Sequence, residues 1–416
     1  MNELPISDKI LALAEEAEKV LEPQFKQYEK NCLINSAKVL SALHSVKLSA
    51  TDFSETTGYG YFDNGRDKLE RAYASVFHTE DALVRPHIMS GTHALAITFF
   101  GLLHHGDTLI SITGEPYDSL KGIIGITGSS RNSLKANGVM YEEIPLVNDD
   151  FDLEKIEKRL KSSPVRMVEI QRSRGYSNRL SLSVEKIAKV CKFIKKISPD
   201  TIIMVDNCYG DLVETTEPTD VGADVLVGSL LKNLGAGQTK TGGYIVGKHD
   251  LILDVSERFS APCVGKDIGA NLNQRLPMFK GLYSAPSVVC ASLKTMTLAS
   301  FMLEKLGYKV SPHYLDARTD IVQTINLGTA DGLIEFCRGI QRGVAIENFV
   351  ALEPSEMPGY PHEEIMASGS FITGSTIELS CDGPITPPFT AFMQGSLTYE
   401  YGKLGLLIAL THLTNN

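Results

Sequence analysis

The stretch DVLVGSLLKNLGAGQTKTGGYIVG, residues 224–247, sets two short apolar runs on either side of a glycine-rich loop that begins with Lys232. Lysine is rarely buried without a reason. A lysine three residues beyond Ser229, at the end of an apolar run, is therefore either a solvated loop side chain or a group held there for chemistry. Its neighbours along the chain decide between these.

Working outward, the same rhythm recurs. A helical stretch at 66–77 leads to an apolar run at 82–89 and a helical stretch at 92–103. The runs TLISIT (108–113), VMYEEIPL (139–146), RMVEIQ (166–171) and TIIMVD (201–206) follow, with helical stretches between most of them. Short apolar runs alternating with helices predict parallel strands buried on both faces, an α/β sandwich. Residues 7–46 predict two helices joined near 23–35, with Ile10, Leu11, Ala14, Ala17 and Leu21 at helical intervals. Beyond about residue 275 the rhythm loosens into a long helix (285–306), TDIVQTINLG, a helix at 330–339, the paired runs SFITG and STIELS, and a closing helix at 399–411. The expected organisation is an N-terminal helical and dimer-contact segment (1–65), a large domain (66–275) and a smaller α+β domain (276–416).

The totals are those of a globular chain. At 416 residues two domains are expected, and 43% hydrophobic with 22% charged residues leaves an ample core. A net charge of -10 argues against a nucleic-acid partner, which needs clustered positive charge. Seven cysteines, with no Cys-x-x-Cys pair and no zinc-ligand spacing, suggest free thiols in a reducing compartment. The acidic, amphipathic start lacks the features of a signal peptide, and no uncharged apolar run reaches the roughly 18 residues of a membrane span. A cytoplasmic protein without a membrane partner is expected.

In open parallel sheets ligands sit beyond the carboxyl ends of the strands. Four such places carry usable chemistry. Ser90, Gly91 and Thr92 open a helix whose free N–H groups suit a phosphate, although Ser and Thr are also ordinary helix caps. Asp206 ends an apolar strand, where a carboxylate needs a cationic partner. Tyr117 follows TLISIT and could stack on a planar ligand. Lys232 could become a nucleophilic amine able to form a Schiff base with a carbonyl. Together they have one economical explanation, pyridoxal 5'-phosphate. Lys232 would hold the aldehyde as an imine, Asp206 would keep the ring nitrogen protonated, Tyr117 would cover the ring, and the Gly91 helix start would hold the phosphate.

At this point the chain resembles the fold-type I PLP-dependent enzymes of the cystathionine γ-synthase, cystathionine lyase and methionine γ-lyase group. The resemblance rests on SGTHALAITFFGLLHHGDTLISITGEPYDSL (90–120), VDNCYG (205–210), and SLLK (229–232), whose Lys232 follows Asp206 by 26 residues. GYGYFDNGRDKLERAYASVF (58–77), IQRSRGYS (170–177) and KTGGYIVG (240–247) are similar to hallmark segments of a bacterial methionine γ-lyase-like branch, the aluminium-resistance proteins. The resemblance implies a mostly parallel seven-stranded sheet in a three-layer sandwich, with Ser229 beside the cofactor and a homodimer with shared active sites, assembled as a homotetramer. Tyr59, Tyr61 or Arg66 would reach the neighbouring subunit's phosphate. The implied activity is carbon–sulfur lyase action on a sulfur-containing amino acid, by β- or γ-elimination through an external aldimine, with Lys232 as Schiff-base former and acid/base. Transamination, racemisation, or a non-catalytic regulatory protein on the same fold are the alternatives. The group's C-terminal arginine is missing from SGSFITGSTIELSCDGPITPPF (368–389), leaving Arg172, Arg174 and Arg318 as alternative clamps for the substrate carboxylate.

Other chemistries fit less well. GAGQTKT has Thr239 where a P-loop needs its second glycine, and a strand-like run follows it in place of a helix. Neither a metalloprotease His pair nor a serine nucleophile elbow is present.

Overall fold

The computed structural model describes residues 3–59, 62–357 and 360–415. A seven-stranded sheet forms the centre. Its strands are β1 (Asp81–Arg85), β2 (Thr108–Ser111), β3 (Met140–Glu143), β4 (Met167–Gln171), β5 (Ile202–Asp206), β6 (Val225–Ser229) and β7 (Gly243–Gly247), in the spatial order β1-β7-β6-β5-β4-β2-β3. The five strands from β3 to β6 in that order are parallel. The sheet is mostly parallel, as expected; β7 alone runs against the other six strands, pairing antiparallel with both its neighbours, β6 and β1. The reason lies in the opening stretch: no crossover helix separates its two apolar runs, and a chain that turns back without one pairs antiparallel.

Side chains alternate across this sheet. Leu109, Met167, Met204, Val225 and Val227 face one apolar layer, completed by helices α3 (Gly91–Leu102), α4 (Asp118–Ile124) and α7 (His249–Phe259). Ile110, Val168, Ile203, Val205 and Leu226 face the opposite layer, completed by α1 (Asp8–Ser45), α2 (Asn64–Val76), α5 (Leu153–Ser162), α6 (Val184–Ile197) and α8 (Arg275–Lys305). Burial on both faces explains why the strands read as continuous apolar runs.

Two helices differ from expectation. α1 is a single helix with Pro23 inside it. An interior proline costs about 3 kcal/mol, and here tertiary packing offsets it. Ile10, Ala14, Ala17, Leu21 and Phe25 are buried along one face, and Tyr28 shares a 3.0 Å hydroxyl contact with Thr297 of α8. α8 starts ten residues before its expected position at 285 and passes through Pro286. It is long and apolar enough to cross a membrane, but its apolar window is 89% buried within the fold, as befits a core helix.

The C-terminal portion forms a six-stranded antiparallel sheet with α9 (Ala330–Gly343) and α10 (Tyr399–Asn415). The strands are β8 (Lys309–Ser311), β9 (Val322–Asn326), β10 (Ser355–Glu356), β11 (Glu363–Ala367), β12 (Ser380–Pro384) and β13 (Thr390–Gln394), ordered β10-β11-β12-β13-β9-β8. SFITG and STIELS do not pair; only Ser380 at their end enters a strand. Their backbone donors are used elsewhere. Phe371 and Ile372 N–H groups donate to the Glu378 carboxylate, and Thr376 N–H donates to Leu231 O at 3.0 Å. The segment therefore docks on the Lys232 loop instead of completing a ladder.

Candidate active site

The site begins where β5 and β6 end. Asp206, the last residue of β5, is 8% exposed, and its Oδ1 accepts the Cys208 N–H at 3.0 Å. Ser229 ends β6, and its hydroxyl accepts the Leu231 N–H at 3.1 Å, fixing the exit of the strand. Lys232 follows on a tight loop. The Asn233 side-chain amide donates to Tyr209 O (3.1 Å) and Asp211 O (2.9 Å), tying the lysine loop to the segment after Asp206.

Lys232 is half-buried, with its Nζ 3.9 Å from the Tyr209 ring centroid. Burial disfavours the ammonium, but Cys208, Tyr209 and Asp206 outweigh it and hold the Lys232 pKa above its ordinary value. The Cys208 thiol and the Tyr209 phenol are themselves pushed up by burial. Lys240, the other lysine of this loop, is exposed.

The start of α3 closes the floor. A Cβ on Gly91 would lie 3.2 Å from Cys208 Sγ and 3.3 Å from Ser229 Cβ, so only glycine lets this helix start approach the two strand ends freely. Ser90 Oγ accepts the His93 N–H at 3.1 Å and caps the helix. Thr92 Oγ1 lies 2.9 Å from Ser119 Oγ, joining the starts of α3 and α4. An amine, a buried carboxylate and a helix start with hydroxyls, converging where glycine leaves room, fit a group carrying an aldehyde, a basic ring nitrogen and a phosphate.

Tyr117 stands at the start of α4, where its N–H donates to Gln171 Oε1 at 2.9 Å. Its hydroxyl is 2.7 Å from the Tyr360 hydroxyl, and its ring lies 5.8 Å from the Tyr176 ring. Burial first, then Tyr360, Asp382 and Tyr209, push the Tyr117 phenol well above its ordinary range, so it keeps its proton.

The remaining sequence-predicted residues lie elsewhere. Arg172 is fully buried and engaged by Leu182 O, Asn207 Oδ1, Gly210 O and Glu214, with Glu217 at 3.7 Å. Arg318 donates to Thr297, Met296 O, Val322 O and Gln323. Both guanidinium groups are committed to holding elements together. Arg174 donates to the Ser311 and Thr324 hydroxyls, and its buried Nε has no hydrogen-bond partner. Arg66 is buried at the start of α2, bonded to Asp67 and Asp267 O, while Tyr59 is 81% exposed. Tyr61 falls outside the described residues.

Sequence reading passed over several residues of this region. Tyr209 lies within VDNCYG, Tyr176 within IQRSRGYS and Asp382 just after STIELS, but nothing local marks them. The Tyr176 hydroxyl donates to Asp382, whose other oxygen accepts Gln394 Nε2 at 3.1 Å. Glu169, two residues before Gln171 on β4, is buried with no hydrogen-bond partner for either carboxylate oxygen. Burial, opposed by Ser111 and reinforced by Asp206, lifts its pKa to about 7.

A family model described as methionine gamma-lyase matches residues 10–414. The chain belongs to the methionine gamma-lyase family. The YnbB protein of Bacillus subtilis is 43% identical over 390 residues, 93% of this chain and 92% of its own length. A Clostridium novyi structure named a carbon-sulfur lyase involved in aluminum resistance is 44% identical, with a TM-score of 0.95, covering 99% of this chain and 97% of its own. A Clostridium acetobutylicum structure, named a candidate cystathionine beta-lyase involved in aluminum resistance, is 40% identical with a TM-score of 0.96 over 99% of this chain and 97% of its own. The methionine gamma-lyase fold extends further: Escherichia coli YhfS, named a pyridoxal-5'-phosphate dependent protein, matches at 14% identity with a TM-score of 0.64, a likeness of fold alone.

Proposed function

We propose that this protein is a pyridoxal-phosphate-dependent carbon–sulfur lyase that converts a sulfur-containing amino acid and water to a 2-oxo acid, ammonia and a thiol. The observation that carries this reading is the Lys232 amine, half-buried over Tyr209 at strand ends it shares with the Asp206 carboxylate. The names of the methionine gamma-lyase family and of the Clostridium novyi relative support the lyase chemistry.

Lys232, Asp206, Ser229 and the Ser90–Gly91–Thr92 helix start would hold the cofactor, with Tyr117 beside it. Bound there, the cofactor supplies an aldehyde for covalent attachment and a ring that accepts electrons. Lys232 then works as the base that takes the proton from the substrate α-carbon and returns one later. Its raised pKa sets a condition: the amine becomes a base only when the pull of Asp206 is met by another cation. Asp206 would meet that condition by holding a protonated ring nitrogen. Tyr117, which retains its proton, would donate one to the departing sulfur. Arg174, with its unpaired Nε, is the clamp of the original three that the hydrogen bonding leaves open.

The same proposal has the chain act in the cytoplasm as a homodimer with shared active sites, assembled into a homotetramer; the exposed Tyr59 and Phe62 support a contact surface there. Sedimentation of the purified protein tests the assembly. The activity test is incubation with pyridoxal phosphate and, in turn, cystathionine, methionine, cysteine and homocysteine, measuring 2-oxo acid, ammonia and thiol. Equal amounts of all three products are expected from at least one substrate. A 2-oxo acid formed only with an amino-group acceptor, and without thiol, would replace the lyase with an aminotransferase.

A further inference from the structure

One group of side chains near Lys232 has no part in the chemistry above. Asp382 on β12 and Glu364 on β11 lie on one face of the C-terminal sheet, since Glu364 pairs with Pro384 and Met366 with Asp382, and side chains alternate along each strand. The Tyr176 hydroxyl donates to Asp382, and Glu364 is electrostatically coupled to it. Tyr176 in turn packs against Tyr117 and Tyr360 at ring separations of 5.8 and 5.9 Å. Asp382 is close enough to Lys232, Tyr117 and Tyr209 to be electrostatically coupled to each. The two carboxyls therefore border the space in front of the lysine.

Among the described residues this wall is short of cations. Glu364 is 2% exposed, and its Oε2 has no hydrogen-bond partner. Asp118, the third nearby acid, is bonded to Lys121 at 2.7 Å, and Lys121 also holds Glu115. Lys232 is the cation that stabilises the Asp382 carboxylate. Once the Lys232 amine is neutral, Asp382 loses that partner too. The adjoining cleft beside Tyr360 is also lined by Glu356, Glu363 and His362. Burying carboxylates without a counter-charge is costly, and the cost falls when a ligand brings one.

We propose, building on the lyase reading, that Asp382 and Glu364 form a subsite for an ammonium group carried on the sulfur substituent of the substrate. An ammonium there gives Glu364 Oε2 the donor it lacks and restores a cation beside Asp382. Burial, then Asp382 and Asp118, hold the Glu364 proton on up to about pH 8, and a bound cation releases it. An uncharged alkyl substituent leaves the orphaned oxygen dry, and a carboxylate is repelled.

The test compares S-(2-aminoethyl)-L-cysteine with S-propyl-L-cysteine and S-(2-carboxyethyl)-L-cysteine, and the matching homocysteine thioethers in case the enzyme acts at the γ-carbon. Each turnover breaks the C–S bond, consumes one water and releases 2-oxo acid, ammonia and thiol. The wild-type protein is expected to favour the aminoethyl over the propyl substrate by about 10- to 100-fold in kcat/KM, with the carboxyethyl substrate poorest. Asp382→Asn and Glu364→Gln should each bring the aminoethyl-to-propyl ratio toward one. A wild-type ratio near or below one overturns the subsite, as does a high ratio that both variants retain. The wild-type ratio decides the matter if a variant does not fold. Failure of every thioether in both series to release thiol counts instead against the lyase activity itself.

Discussion

Lys232 Nζ stands 3.9 Å from the centroid of the Tyr209 ring, three residues beyond the carboxylate of Asp206. Tyr209 adopts φ +69, a left-handed conformation that a bulky side chain rarely takes. Its carbonyl is held by Asn233 Nδ2 and by Ile321 N–H, which keep the turn in that shape. A cation over an aromatic face gains roughly 0.5–2 kcal/mol, more when desolvated. The strained turn thus presents a ring on which the lysine rests.

Covalent attachment at this lysine is the first expectation. Borohydride reduction of the cofactor-loaded protein, followed by peptide mapping, should place the pyridoxyl label on Lys232 and not on the exposed Lys240. Lys232→Ala should lose the label and lower kcat at least about 10²-fold, the scale of general acid–base catalysis. Full turnover by Lys232→Ala would refute the assignment.

The lysine loop depends on one close approach. A Cβ on Gly235 would lie 1.6 Å from Leu230 O and 2.4 Å from Thr239 Oγ1, so the backbone beside Lys232 must move to admit it. Gly235→Ala should cost at least about 1–3 kcal/mol and weaken cofactor retention, read as a lower Tm and a loss of bound chromophore. Gly122→Ala in α4, where nothing lies within 4 Å of the added Cβ, should leave Tm unchanged or slightly raised.

Glu169 makes stability depend on pH. Its pKa rises from the usual 4.5 to about 7 in the fold, so the folded state binds its proton more tightly than the unfolded chain does. The favourable contribution is complete below about pH 4.5 and is lost progressively as the pH climbs to about 7. Glu169→Gln removes this dependence. Relative to wild type it should gain up to about 3 kcal/mol more at pH 8 than at pH 4.5, measured by denaturant titration at both pH values. An identical difference at the two pH values would contradict the buried-proton account.

Tyr117 offers a separation of roles. Tyr117→Phe keeps the ring and the N–H to Gln171 while removing the hydroxyl paired with Tyr360. Cofactor binding should stay within about twofold, while kcat falls about 10- to 100-fold, toward the lower end of what a general acid contributes. Absorbance titration with pyridoxal phosphate and steady-state rates of thiol release check the two halves.

Much of the frame was legible because its signals are local. An apolar run bounded by glycine or aspartate reads as a buried strand wherever it stands, and Asp206, Ser229 and Lys232 follow such runs directly. The direction of β7 was also within reach, since its connection to β6 has no helix to carry the chain across. Pro23 misled because its cost is local, whereas the packing that offsets it comes from α8, more than two hundred residues away.

By itself the sequence determined the alternation of strands and helices, the strand-end positions of Asp206 and Lys232, and the glycine at the start of α3, because each depends on neighbours a few residues apart. Only the tertiary structure decided which arginines are consumed in holding the fold, that SFITG and STIELS dock on the lysine loop, and that Tyr176 meets Asp382 across 206 residues of chain. Contacts of that separation arise from how finished elements pack, and no spacing along the chain encodes them.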